Sequence, residues 1–374
     1  MINEFANAGE KIRMKQPLLN VGMIGLGEVA QVIHIPVLKS LPQHYRIAAF
    51  CDISPKLVED MGRKHGVTRL YTDASEMVKQ DDLDVVFVLN SDEYHAECAI
   101  SAANHNKHVF IEKPMCLTVS EADAIIEARD RNRVQIMVGY MRRYAASFVE
   151  AVKEIGDFEQ IKYARIRDIV GPNRFFVDPT SHVVAYDDIP AALREDKQRR
   201  AERLVREATG FGPESPYFMF YRFLCGLSSH DLSAMREAIG MPKRVLGAKL
   251  AMGEHIFDIF FNAVFDYGAF GVTFETGFDG QGRFDAHVEV YSRQKSVKVQ
   301  YNTPYIRHLP VELEIQETRG EKFIRSVVRP TYTDPYTLEM KHLYDVITRG
   351  HAPKTTPEDY KKDLAIFKMI MDAL

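Results

Sequence analysis

The stretch that most limits what this chain can become is Val21 to Leu38, Val-Gly-Met-Ile-Gly-Leu-Gly-Glu-Val-Ala-Gln-Val-Ile-His-Ile-Pro-Val-Leu. Leu18, Val21, Met23 and Ile24 form an apolar run that ends at Gly25, and Gly25 to Ala30 then open a helix. Strand, tight turn and helix N-terminus in that order make Gly25-x-Gly27-x-x-Ala30 a dinucleotide-binding fingerprint rather than an ordinary glycine turn. Gly25 permits the turn and Gly27 lets backbone amides approach a pyrophosphate. The small Ala30 allows close helix–strand packing while the helix dipole faces the phosphates.

A second strand, Arg46 to Cys51, closes at Asp52, 22 residues beyond Ala30. The fingerprint expects an acidic residue about 20 residues on. A carboxylate there accepts the ribose hydroxyls of an adenosine and repels a 2′-phosphate, which predicts NAD rather than NADP. Asp52 is equally compatible with an N-cap role for the helix that follows, and Lys56, Arg63 and Lys64 keep NADP as the weaker alternative.

With 374 residues, 46% of them apolar and 27% charged, the chain has room for two domains with full cores. A net charge of −4 with both signs interspersed leaves no basic stripe, which argues against nucleic acid as a partner. Four widely spaced cysteines, Cys51, Cys98, Cys116 and Cys225, form no C-x-x-C pair and suit reduced thiols in a cytoplasmic protein. Met1 to Gln16 carries five charged residues and no apolar h-region, and no run approaches the ~20 apolar residues of a membrane span, so no membrane association is expected.

Beyond Asp52 the pattern predicts a helix over Pro55 to Lys64, a short strand near Val67 to Tyr71, a helix over Ser75 to Lys79 and a strand over Asp84 to Leu89. The last is continuously apolar, as a strand buried on both faces of a parallel sheet must be. It stops at Asn90-Ser91. A helix from Glu93 to Asn104 follows, with Asn106 as its αL stop, and then the strand His108 to Ile111 runs into Glu112-Lys113-Pro114. Lys113 thereby falls at the same sheet edge as Gly25, Asp52 and Asn90, where ligands of such sheets bind, and reads as a functional lysine.

These residues resemble the glucose–fructose oxidoreductase / inositol dehydrogenase (Gfo/Idh/MocA) family: the Gly25 loop with His34-Ile-Pro-x-Leu38, Asp52, the Asn90 to His95 turn, and Lys107-His-Val-x-x-Glu112-Lys113-Pro114. The likeness continues at Gly139-Tyr-Met-Arg142-Arg143-Tyr144 and Pro353-x-Thr355-Thr-Pro-Glu-Asp359. It implies an N-terminal Rossmann domain with a doubly wound parallel sheet over residues 1–140. A second domain, 141–374, would carry an open-faced, mainly antiparallel sheet for substrate binding and oligomerisation. The implied activity is NAD(P)-dependent oxidoreduction of a sugar, polyol or related hydroxylated compound, with Lys113 central. The implied cofactor contacts are Gly25, Gly27, Glu28, Val29, Asp52, Ile53, Asn90, Ser91, His95, Glu112 and Arg142. The implied substrate contacts are Tyr140, Asp168 and Asn173, although Asp168 and Asn173 also read as solvated polar residues at a strand end. No metal site is expected.

In the second half, Ile161 to Ile169 alternates as a strand, and Asp187 to Gly212 is a highly charged helical stretch, either a solvated surface helix or a lid or partner surface. The cluster Tyr217 to Phe223 leads to Ser228-Ser-His230-Asp231, where Ser228 and Asp231 have capping-box form, so His230 is expected in a helix's first turn. The family places its catalytic His at this entry, commonly with an Asp four residues earlier, where Gly226 stands here. From Arg244 to Arg329 several segments alternate with period two, which predicts an antiparallel sheet with one wet face. The strand with Phe257, Ile259, Phe260, Phe261 and Phe265 is expected to be apolar on both faces and to make a homodimer or homotetramer contact. Helices over Tyr336 to Arg349 and Pro357 to Leu374 end the chain. Two other functional readings compete: an NAD-dependent glycosidase with transient sugar oxidation, and a non-catalytic dinucleotide-sensing regulator.

Overall fold

The computed structural model describes residues 17–156, 158–253 and 258–374, so the reading of Met1 to Gln16 and the contribution of Phe257 lie outside the described residues. The first half builds a six-stranded parallel sheet from β1 (Leu19–Ile24), β2 (Tyr45–Cys51), β3 (Arg69–Tyr71), β4 (Val85–Val88), β5 (His108–Glu112) and β6 (Ile136–Gly139), in the order β3-β2-β1-β4-β5-β6. All four residues of β4 are fully buried, which is why its sequence shows no alternation. Crossover helices α1 (Ile35–Lys39, entered through a π turn over Ala30–His34), α2 (Pro55–His65), α3 (Ala74–Met77), α4 (His95–Asn104) and α5 (Val119–Asn132) cover the faces. Ser54, Asp73 and Thr118 cap α2, α3 and α5 with their side chains. Asn106 has φ 60°, as the helix-stop reading requires.

The second half builds an eight-stranded sheet in the order β14-β13-β12-β11-β7-β10-β9-β8. Its strands are β7 (Tyr163–Val170), β8 (Arg244–Met252), β9 (Ile259–Asp266), β10 (Gly271–Phe278), β11 (Phe284–Tyr291), β12 (Lys295–Tyr301), β13 (Glu312–Arg319) and β14 (Lys322–Val328). Every neighbouring pair is antiparallel except β7 with β10. One face buries Ile166, Phe261, Phe274, Val288 and Val299 under helices that include α6 (Ala146–Gly156). The other carries cross-strand ion pairs, Arg165 and Arg167 with Glu275 and Arg167 with Asp285. The expectation that β9 is apolar on both faces is corrected: Ile259, Phe261 and Phe265 are buried together, whereas Phe260 shares the open face with Asn262, Val264 and Asp266.

Between β7 and β8 run α7 (Arg174–Val177), the charged helix α8 (Ala191–Thr209), α9 (Pro216–Phe223) and α10 (Ser229–Ile239). Only Ala201, Leu204 and Val205 of α8 are buried, so it is a solvated helix. It is nonetheless fastened to the start of α4: Tyr94 donates to Asp196 at 2.8 Å, and Arg200 pairs with Glu97 while lying over the Tyr94 ring. The final helices α11 (Pro335–Arg349) and α12 (Pro357–Met371) return to the first sheet. Tyr45 donates to the Met340 carbonyl, and Thr355 exchanges hydrogen bonds with both backbone groups of Val138, which pairs the exposed edge of β6. Among the described residues no helix is long and apolar enough to cross a membrane.

Candidate active site

The carboxyl ends of β1, β2, β4 and β5 meet where the sequence puts Gly25, Asp52, Asn90 and Lys113. Gly25 has φ +90°, and a Cβ on it would lie 2.5 Å from the Asn90 amide nitrogen, so no other residue fits. A Cβ on Gly27 would meet nothing within 4 Å, which leaves the loop open on the side a pyrophosphate needs. Asp52 accepts from the Leu26 amide at 2.8 Å and the Ser54 amide at 3.0 Å, so its carboxylate braces the glycine loop from the end of β2. Burial raises its pKa, against the pull of those two amides. Glu28 and Val29 begin the helix beyond the loop, Ile53 is about half exposed in the β2–α2 turn, and Ser91 follows Asn90 into the next turn. These residues fit a dinucleotide.

Beside this edge, between the two sheets, lies a cavity of about 470 Å³, within the usual range for small-molecule sites. Asn90, Glu112, Lys113, Asn173, Gly226 and His230 line it, with Val29 and His95. Lys113 Nζ donates to the Gly226 carbonyl at 2.6 Å, and burial depresses the pKa of the amine, with Glu112, Asp92 and Asp168 opposing and Arg142 adding to the effect. Glu112 does not bond that amine. It accepts from His34 Nε2 at 2.8 Å and from the Lys113 amide at 3.0 Å, which fixes the backbone from which Lys113 projects. Burial pushes the Glu112 carboxyl up, but His34 and Lys113 outweigh it and hold the group ionised. His95 ties the Pro114 carbonyl at 2.7 Å to the Asn90 carbonyl at 2.9 Å, so it braces two loops although its ring borders the cavity.

The environment of His230 differs from the sequence expectation. Ser228 is helical in backbone and makes no capping bond; its hydroxyl contacts Thr276 at 3.1 Å, and α9, a π turn over Leu224–Ser228 and α10 run on without a break. His230 is thus inside a long helix rather than at its positive end. Its pKa still falls well below the usual value, through burial first and then the charges of Lys113 and Arg142. Nδ1 has no hydrogen-bond partner. Asp168 does not orient this ring either. Asp168 is fully buried and pairs with Arg142 at 3.3 Å, while Asp231 takes the other amino group of the same guanidinium.

Arg142 therefore borders the cavity with its guanidinium engaged by the carboxyl groups of Asp168 and Asp231, which leaves it ill suited to hold a cofactor. Burial, with Asp168 beside it, pushes Asp231 well above the carboxylate range despite Arg142. Asp168 and Tyr140 do not line the cavity, and the Tyr140 hydroxyl donates to Asp363 at 2.8 Å in the core, so neither is placed to touch substrate. Asn173 does line it and donates to Glu28 at 2.9 Å. Tyr305 and Tyr336 also border it, from a loop after β12 and the start of α11, where no sequence signal marks them. Among the described residues no cluster of metal-ligating side chains is found.

Residues 19–140 match the family model described as "Oxidoreductase family, NAD-binding Rossmann fold", GFO_IDH_MocA. Inositol 2-dehydrogenase of Salmonella typhimurium is 31% identical over 145 residues, 38% of this chain and 43% of that protein. The chain thus spans less than half the length of the curated relatives it matches. Over nearly the whole chain the fold is that of two solved structures. These are aldose-aldose oxidoreductase from Caulobacter crescentus complexed with glycerol (TM-score 0.71, 21% identity, 96% and 97% of the two chains) and levoglucosan dehydrogenase in complex with NADH (TM-score 0.72, 17% identity, 96% and 97%). Residues 19–140, which carry the glycine loop, Asp52 and Lys113, thus match the Gfo/Idh/MocA oxidoreductase family, and nearly the whole chain shares the two-domain fold of the two solved structures.

Proposed function

We propose that the chain is an NAD-dependent oxidoreductase that transfers hydride between nicotinamide and a hydroxyl or keto carbon of a sugar, polyol or related compound. The observation that carries this is the convergence of Lys113 and His230 on one cavity beside a dinucleotide-type glycine loop. When bound, the dinucleotide supplies the hydride acceptor or donor. The glycine-loop amides would hold its pyrophosphate and Asp52 its ribose.

Oxidation of a secondary alcohol needs a base for the hydroxyl proton and a cation for the developing alkoxide. His230 is kept neutral by burial and two neighbouring cations, so it can accept a proton at any pH near neutrality. Lys113, with further N–H groups beside the one given to Gly226, can donate to the substrate oxygen. Glu112 orients Lys113 through its backbone and does not react. The names borne by relatives, an inositol dehydrogenase and an aldose oxidoreductase, support a sugar or polyol substrate.

The reading extends to assembly and location. The open sheet face exposes Tyr163, Val264, Phe323 and Val327, which supports a homodimer or homotetramer formed through it. Four buried free thiols support a reducing, cytoplasmic setting. A screen of sugars and polyols with NAD and NADP, followed by absorbance, tests the activity. Net release of reduced NAD is expected; bond cleavage without net release would favour the glycosidase reading, and tight dinucleotide binding without any turnover the regulator.

A further inference from the structure

Asn173 to Pro190 crosses the outer rim of the dinucleotide edge as a strap with three fastenings. At one end Asn173 donates to Glu28. In the middle Gln31 both donates to the Val184 carbonyl at 2.8 Å and accepts from the Val184 amide at 2.9 Å, while Val177 is buried in the core below. At the far end Asp188 accepts from the Ser54 hydroxyl at 2.5 Å and from the Lys56 amide at 3.0 Å. Glu28 and Gln31 lie at the helix entry just after Gly27, and Ser54 and Lys56 open α2 just beyond Asp52. The large cavity does not extend to this end, which the strap borders.

The place of Asp188 has a chemical consequence. In a Rossmann domain the end of β2 faces the adenosine ribose, so a 2′-phosphate lands near the β2–α2 turn. A free hydroxyl and a free amide at the start of the eleven-residue helix α2 would suit such an anion. Here both donors are already taken by a carboxylate of this chain. Asp188 also lies close enough to Asp52 for its charge to act on it. Two carboxylates, one from each half of the chain, therefore guard one position.

We infer that Asp188, delivered by the strap, is a second specificity residue that occupies the 2′-phosphate position and excludes the phosphorylated dinucleotide. The inference rests on the NAD reading above and adds a residue to it. Asp52 discriminates by what it offers the ribose hydroxyls, Asp188 by filling the anion position with a like charge.

Fluorescence titration of NADH and NADPH tests this without any turnover, and the chain contains no tryptophan to interfere. Asp188→Asn removes the charge and keeps the side-chain shape, whereas Gln31→Ala frees Val184 and leaves the carboxylate in place. NADPH affinity is expected to rise about tenfold in Asp188→Asn, the scale of relieving one like-charge contact, with NADH affinity much less changed and a smaller NADPH gain in Gln31→Ala. Unchanged NADPH affinity in Asp188→Asn, with NADH bound normally by the wild type, would overturn the assignment. Equal gains in the two variants would overturn it as well, since a loosened strap would then explain both. A wild-type protein that binds neither dinucleotide would instead defeat the cofactor reading itself.

Discussion

Lys113 Nζ rests 2.6 Å from the main-chain oxygen of Gly226, in the π turn that ends two residues before His230. A π turn alters the i→i−4 pattern of hydrogen bonding, and such turns recur at functional sites. The lysine at the end of β5 is thereby docked onto the helix that carries the histidine, and the two candidate catalytic groups are positioned by one contact across the domain junction.

The first prediction follows from their proposed roles. Lys113→Ala and His230→Ala should each lower turnover by roughly 10²-fold or more, the usual scale for losing an oxyanion donor or a general base. Titration with NADH should show little change in either variant. Near-normal turnover in His230→Ala would remove it as the base and point to Lys113.

Legibility in the sequence was uneven, for physical reasons. The glycine loop, Asp52 and Lys113 lie at ends of strongly apolar strands, so their place at one sheet edge follows from the strand order alone. The capping form at Ser228 and Asp231 misled because a cap needs a non-helical residue, and here tertiary packing continued the helix through it. Asp168 and Tyr140 occur on elements beside the cavity, but their partners Arg142 and Asp363 are remote in sequence, and only the fold shows that both are turned inward. Asp188 lies in a charged stretch whose composition signals solvent; its bond to Ser54 spans 134 positions.

The cofactor prediction concerns Asp52. Asp52→Ser should narrow the preference for NADH over NADPH, because it removes a carboxylate from the ribose side and keeps a short polar group for the Leu26 and Ser54 amides. Paired titrations check this. Tighter binding of NADPH than NADH by the unmodified protein would defeat it.

A stability prediction concerns Glu339, which is fully buried near Glu112. Burial, then the charge of Glu112, raises its pKa well above the usual 4.5, only partly offset by the Tyr140 amide. The unfolded chain loses this proton near its ordinary pKa while the folded chain keeps it. Stability from this group is therefore present below pH 4.5 and declines as pH rises toward the folded value, by up to about 1.4 kcal/mol per pH unit. Glu339→Gln lacks that decline. Its melting temperature relative to wild type should rise between pH 5 and pH 8, and a constant difference would show that Glu339 is ionised in the fold.

The last prediction uses Gly226, which stands where the family commonly has an acid. A Cβ built on Gly226 meets nothing within 4 Å, and the residue lines the cavity, so a longer side chain has room. In the wild type no carboxylate sits one turn before His230, and burial with the charges of Lys113 and Arg142 keeps its imidazole neutral well below pH 6.5. The acid limb of kcat/KM for alcohol oxidation, which reports the base of the free enzyme, should therefore lie well below that pH. Gly226→Asp would add a negative charge beside both Lys113 and His230 and favour their protonated forms, so the acid limb should move to higher pH by about one unit, the lower end of the effect of a nearby opposite charge. The same variant in a His230→Ala background should show no such movement. A limb that stays in place in Gly226→Asp while NADH still binds would mean that the titrating base is not His230.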